Sequence, residues 1–171
     1  MTTFRRDVET DGRRAVVAFS REKLDDARRR DFTMNALYAD RTGRVIDPLG
    51  TGLDDLKAGR VRFIENAGDR IREDYLRILR FFRFHAWYGD PQHGFEAEEL
   101  AAVASGADGL ATLSRERIGH EMRRLLAAPD PAPALGSMAT SGVLARVLPG
   151  ADPSFVAPLV HIEEALGMSP D

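Results

Sequence analysis

Two clusters of arginine and acid stand out in the first half of the chain. In "DDARRRDFTMNALYAD", residues 25 to 40, Arg28, Arg29 and Arg30 run into Asp31 and then an apolar segment from Phe32 to Tyr38. Guanidinium forks match phosphate oxygens bidentately, and an adjacent aspartate can orient a guanidinium or accept from a ribose hydroxyl. The plainer alternative is a solvated charge run paired locally with Asp25 and Asp26. The second cluster is "REDYLRILRFFRF", where Glu73 and Arg77 stand four apart and Asp74 and Arg77 three apart. Arg80 and Arg83 extend the basic stripe by threes. Surface ion pairs of about 0.2–0.5 kcal/mol each account for Glu73 with Arg77. They do not account for Arg80 and Arg83, which have no acid three or four positions away. Flanked by Phe81, Phe82 and Phe84, these arginines are expected to enter a groove. An aspartate that accepts from an exocyclic amine, beside an arginine that donates to a ring nitrogen or carbonyl, can read a base edge. Phosphate-binding arginines on the same helix would complete a nucleotide site.

Other polar groups offer less. His85, His93, His120 and His161 have no metal-ligand spacing. "GTG" at residues 50–52 is too short for a phosphate loop. Trp87 and Tyr88 end a helical pattern and are expected to pack inside the protein rather than form a stacking platform. "SRERIGHEM" looks like a helix start, with Arg117 and Glu121 forming an ordinary surface pair.

The elements that must hold these residues fall into two kinds. Asp11-Gly12 is a favoured tight-turn pair, so residues 3–19 are expected to form a β-hairpin. "NALYAD" and "RVIDP" read as a second strand pair joined by Arg41-Thr42-Gly43, followed by a short helix at 53–58 and a last strand at "GRVRFI". From Asp69 the pattern turns helical: Ile71, Tyr75, Leu79 and Phe82 recur at spacings of three to four, with Gly89 as the stop. Further helices are expected at about 95–105, 114–127, 131–140 and 142–148, with Ser114 as an N-cap. The expected fold is α+β, a small sheet unit followed by an all-helical unit, with the boundary near residue 70.

Bulk properties narrow the function classes. The 171 residues are 43% hydrophobic and 30% charged, within the globular range. There is no cysteine, which excludes disulfides and thiolate metal sites. No apolar run reaches the roughly 20 residues of a membrane span, and a cytoplasmic protein is expected. The net charge of −3 hides an asymmetry: residues 1–84 carry 19 Lys and Arg against 15 Asp and Glu, and the rest 5 against 12. A polyanion would be handled by the first half.

Taken in order, "RRRDFTMNALYAD", "RVIDPLGTGLDDL", "VRF", "DRIREDYLRILRFFRF" and "SRERIGHEM" resemble successive motifs of the class II bacterial tRNA nucleotidyltransferases, the CCA-adding enzymes, a branch that includes bacterial poly(A) polymerases. The resemblance covers roughly residues 3 to 150. It implies a remnant of a polymerase-β-like nucleotidyltransferase head sheet over residues 1–68, an all-α, nucleotide-selecting neck over 69–150, and the start of a body over 151–171. It implies that Arg30 and Asp31 contact the incoming nucleotide, that Asp74 and Arg77 pair with the base edge of CTP or ATP, and that Arg80 and Arg83 are further nucleotide-binding arginines. The implied partner is a tRNA 3′ end. The family's Mg²⁺ ions are held by a DxD pair on a strand after a glycine-rich turn, and "RDVETD", with Asp7, Glu9 and Asp11, does not match it. No catalytic or metal-binding residue is therefore assigned. The expectation is that those carboxylates lie upstream or on a partner chain, that the chain alone is inactive, and that it is poorly stable or self-associates. Alternatives are a poly(A) polymerase and a non-catalytic nucleotide- or RNA-binding remnant.

Overall fold

A computed structural model describes residues 23–168. The hairpin expected at 3–19, including Asp7, Glu9 and Asp11, lies outside the described residues, as do residues 169–171. Residues 23–29 are helical (α1) and lead through Arg30 and Asp31 into a 3-10 turn, Thr33–Asn35. Strands β1 (Tyr38–Ala39) and β2 (Val45–Ile46) pair antiparallel, Tyr38 opposite Ile46 and Ala39 opposite Val45. Asp40 closes their turn by accepting from the Thr42 and Arg44 amides at 2.8 and 3.0 Å. Asp47 then accepts from the amides of Leu49, Gly50 and Leu53, which ties the Asp-Pro corner to helix α2 (Gly52–Lys57).

The strand expected at "GRVRFI" is reduced to a single bridge, Phe32 to Phe63. The 3-10 turn starts at Thr33, immediately after the bridge, and takes the partner backbone out of any longer ladder. The helix expected to run unbroken from Asp69 is also two helices, α3 (Ala67–Glu73) and α4 (Leu76–Tyr88). Between them Asp74 is extended, with φ −157° and ψ 107°. Its carboxylate accepts from the Leu76 amide at 3.1 Å, a local bond of the kind by which aspartate competes with helix and favours helix starts. Tyr75 packs against Gly109, where a Cβ would sit 2.1 Å from the ring, so a larger residue there would push the corner apart.

The later helices agree with the sequence: α5 (Ala97–Gly106), α6 (Arg115–Leu126), α7 (Ala132–Thr140) and α8 (Val143–Val147), with α9 (Val156–Leu166) beyond them. Ser114 caps α6 by accepting from the Arg117 amide at 3.3 Å. Helix α4 is the spine of the molecule. Its Ile78, Leu79, Phe81 and Phe82 share one core with Phe32, Met34 and Phe63 in front and with Val103, Leu125 and Met138 behind. The Phe63 and Phe81 rings stack at 5.6 Å between centroids.

Trp87 and Tyr88 do not join that core; they are 43% and 51% exposed. They stand one turn beyond Arg83 and Phe84, so they continue that side of α4 and not the side of the fully buried Phe81 and Phe82. No helix among the described residues is long and apolar enough to cross a membrane.

Candidate functional site

The site is built around a buried line of alternating charge. Asp31, 5% exposed, sits just after α1 and accepts from Arg80 Nε on α4, from Asn35 Nδ2 at 2.5 Å and from the Phe32 amide at 3.2 Å. Burial alone would raise its carboxyl pKa, but the hydrogen bond and charge of Arg80 outweigh burial and hold it below the ordinary aspartate value. On the other side of Arg80 lies Glu121 of α6, 3.9 Å away and itself buried. Glu121 accepts from Arg83 Nε at 2.6 Å. Both guanidinium groups also lie over the Phe84 ring, at 5.4 Å for Arg80 and 4.7 Å for Arg83. The sequence Asp31–Arg80–Glu121–Arg83 thus alternates acid and base, as buried ions must if each is to be compensated.

At the amino end of α4 the template candidates sit side by side: the Arg77 amide donates to the Asp74 carbonyl at 3.0 Å, and the two side chains bond elsewhere. Asp74 Oδ2 accepts from Arg117 of α6 at 2.7 Å, a half-exposed pair. Arg77 is fastened at three points, to Glu73 at 2.6 Å, to the Arg70 carbonyl at 2.8 Å and to the Arg29 carbonyl at 3.3 Å. The Glu73–Arg77 pair therefore survives the helix break. Arg30 faces outward, bonded to Asp26 at 3.3 Å and to the Asn35 carbonyl at 3.1 Å, with its guanidinium 5.1 Å above the Tyr38 ring. A hydrogen bond from Tyr38 is the main cause of a lowered Asp26 pKa. The local-pairing alternative thus describes Arg30, while Asp31 is bound across the fold.

The structure brings Asp31, Arg80 and Arg83 into one chain of contacts, places Asp74 and Arg77 at its head, and leaves Arg30 at its exposed margin. Arg117 and Glu121, expected to pair with each other, instead bond to Asp74 and to Arg83. The missing local acids of Arg80 and Arg83 signalled that partners had to come from elsewhere. Glu121, set among Ile118, Met122 and Leu125 on the inner side of α6, was the residue able to supply one. Chemically the array offers a half-exposed carboxylate beside a fixed guanidinium, and a margin of arginines suited to phosphate.

Known proteins share this arrangement of chain. Residues 1–62 match the family model described as "Poly A polymerase head domain", and residues 94–155 the one described as "Probable RNA and SrmB- binding site of polymerase A". The chain is 45% identical over 126 residues to the CCA tRNA nucleotidyltransferase 1, mitochondrial, of Homo sapiens, covering 74% of this chain and 29% of that protein. It is 43% identical over 146 residues to the CCA-adding enzyme of Streptococcus sanguinis, covering 84% and 36%. It is similar in structure to the Bacillus stearothermophilus CCA-adding enzyme in complex with CTP, with TM-score 0.66 and 37% identity over 74% of this chain and 31% of that one. A CCA-adding enzyme with ATP gives TM-score 0.68 at 25% identity, covering 91% and 39%. These relatives define a nucleotidyltransferase class. The chain belongs to the CCA tRNA nucleotidyltransferase and poly(A) polymerase family, and it spans about a third of the length of the curated relatives it matches.

Proposed function

We propose that this chain is the nucleotide-selecting part of a template-independent RNA nucleotidyltransferase of the cytoplasm, which adds CCA, or A, to tRNA 3′ ends from CTP and ATP. The observation that carries the proposal is the corner at Asp74: an extended, half-exposed aspartate next to an arginine whose guanidinium is held at three points. CTP and ATP present an exocyclic amine beside a ring nitrogen, which matches a carboxylate acceptor beside a guanidinium donor. UTP and GTP present a carbonyl at the amine's place, which faces the carboxylate with repulsion. Each carboxylate oxygen has two lone pairs, so Asp74 can accept from a base while bonded to Leu76 and Arg117. Arg30, Arg80 and Arg83 would attract the triphosphate irrespective of base.

Mg²⁺, implied by the family, finds no fitting donors here: among the described residues no group of three or more His, Cys, Asp or Glu could hold a metal ion. The chemistry of transfer therefore has no residue assigned among them. The domain divisions at 68–69 and 150–151 belong to the same proposal.

Calorimetric titration of the 171-residue chain with each of the four triphosphates tests the reading. CTP and ATP should bind more tightly than UTP and GTP, by about 1–3 kcal/mol, the worth of a bidentate base contact. Asp74→Ala should level the four, and Arg30→Ala should weaken all four without changing their order. Arg80→Ala is the poorer test, because it strands the buried Asp31. An unchanged preference in Asp74→Ala would remove the basis of the proposal. Binding of ATP with CTP excluded would favour the poly(A) polymerase alternative.

A further inference from the structure

Beyond Arg83, α4 ends on Trp87 and Tyr88, and with Arg83, Arg124 and Ala127 they line an open cleft of 260 Å³. Trp87 Nε1 donates to the Arg124 carbonyl at 2.8 Å, which fixes the indole in place. Tyr88 is braced against Phe84 at 5.6 Å. Arg83 spends its Nε on Glu121, and among the described residues its two terminal nitrogens make no protein hydrogen bond. None of the five lining residues is acidic. Two half-exposed aromatic faces, two guanidinium groups and no carboxylate suit a planar base joined to phosphate, the pattern by which proteins hold single-stranded nucleic acid. Arg124 and Ala127 also lie within the segment matched by the RNA-binding family model. The cleft stands ten residues along α4 from Arg77, about 15 Å at the rise of a helix.

We propose that the Trp87–Tyr88 cleft holds an unpaired base of the RNA substrate, about four nucleotide rises from the base at Asp74 and Arg77; this rests on the nucleotide-selection reading above. The cleft is then a second subsite, for the strand being extended, and Arg83 is the residue it shares with the triphosphate. Charge and aromatic exposure favour RNA over an acidic peptide, because a peptide would leave the two ring faces without a planar partner.

Trp87 is the only tryptophan in the chain, so its emission reports on this cleft directly. The 171-residue chain would be titrated with a short single-stranded RNA ending in CC, with CTP alone and with poly-glutamate. Saturable quenching by the RNA alone is the expected result. Tyr88→Ala and Arg124→Ala should each weaken it about tenfold. Both replace exposed side chains, so the Arg124→Ala melting curve should overlay the parent's and the Tyr88→Ala curve should lie within a few degrees of it, reflecting the loss of its Phe84 contact. No quenching, equal quenching by CTP, or equal response to poly-glutamate would each overturn the subsite. Lost quenching with the CTP and ATP preference intact overturns this inference alone. Quenching retained with that preference absent overturns the selection reading and leaves an RNA-binding cleft standing.

Discussion

At Glu121 one carboxylate, 3% exposed, meets two arginines from another helix. Its removal would leave Arg83, also buried, with an uncompensated charge, a loss of roughly 3–5 kcal/mol. For a chain of this size 1 kcal/mol moves the melting temperature by about 2–4 °C, so Glu121→Ala should melt some 10 °C lower. Glu121→Gln keeps the acceptor and the shape, and should recover part of that loss. Differential scanning calorimetry on the two variants decides the matter, and an Ala variant melting with the parent would show the pair to be worth no more than a surface one. The same logic separates the six residues singled out from the sequence. Asp31, Arg77, Arg80 and Arg83 hold the fold together as well as facing the site, whereas Asp74 and Arg30 are half-exposed and can be replaced at less structural cost.

Helix α5 reaches the front of the molecule through Glu99, whose Oε1 accepts from the Phe63 amide at 3.3 Å while its Oε2 is buried with no partner among the described residues. Burial is the main cause that pushes its pKa up from 4.5 to about 7, against the Phe63 amide and the charge of Arg62 and with the help of Glu96 and Glu98. A carboxyl that keeps its proton longer in the folded state stabilises most at low pH. The contribution is complete below about 4.5 and lost as the pH climbs to about 7. Melting temperatures of the parent should therefore fall between pH 5 and 8, whereas Glu99→Gln, which cannot ionise, should run flatter and melt about 2–4 °C above the parent at pH 8, equivalent to about 1 kcal/mol after allowing for solvent screening. Parallel curves for the two proteins would refute the assignment. The sequence could locate α5 to α8 because their apolar periodicity and caps are local properties. It could not locate the Asp74 break, where one carboxylate's bond to Leu76 competes with a helical pattern that continues on both sides. Nor could it place Trp87 and Tyr88: an aromatic pair looks like core until the rotation of α4 is known. The strand at "GRVRFI" failed for a related reason, since pairing depends on where the partner Phe32 turns away. Within the site, the arginine stripe was visible, but its acids Asp31 and Glu121 are 49 and 38 positions from their partners.

Across the whole molecule the core ignores the boundary drawn at residues 68–69. Phe32, Met34, Val61 and Phe63 from the front belong to the same buried cluster as Phe81, Leu125 and Met138 from behind. Phe81 touches both sides, with ring centroids 5.6 Å from Phe63 and 5.6 Å from Phe95. The site has the same dependence, for Asp31 comes from the front and Arg80 and Glu121 from the helices behind. Truncating a fully buried phenylalanine costs about 3–5 kcal/mol. If the described residues unfold as one unit, Phe81→Ala should cost the front and the back equally. Native-state hydrogen exchange measures this at chosen amides: Ile64, bonded to the Asp31 carbonyl at 2.9 Å, reports the front, and Ala128, bonded to the Leu125 carbonyl at 3.0 Å, the back. Protection at both should drop by the same free energy, and CTP affinity should fall with it because the site spans the seam. Loss of protection at Ala128 with Ile64 unaffected would mean that the two parts open independently, and that the line from Asp31 to Arg83 is a contact between separate units.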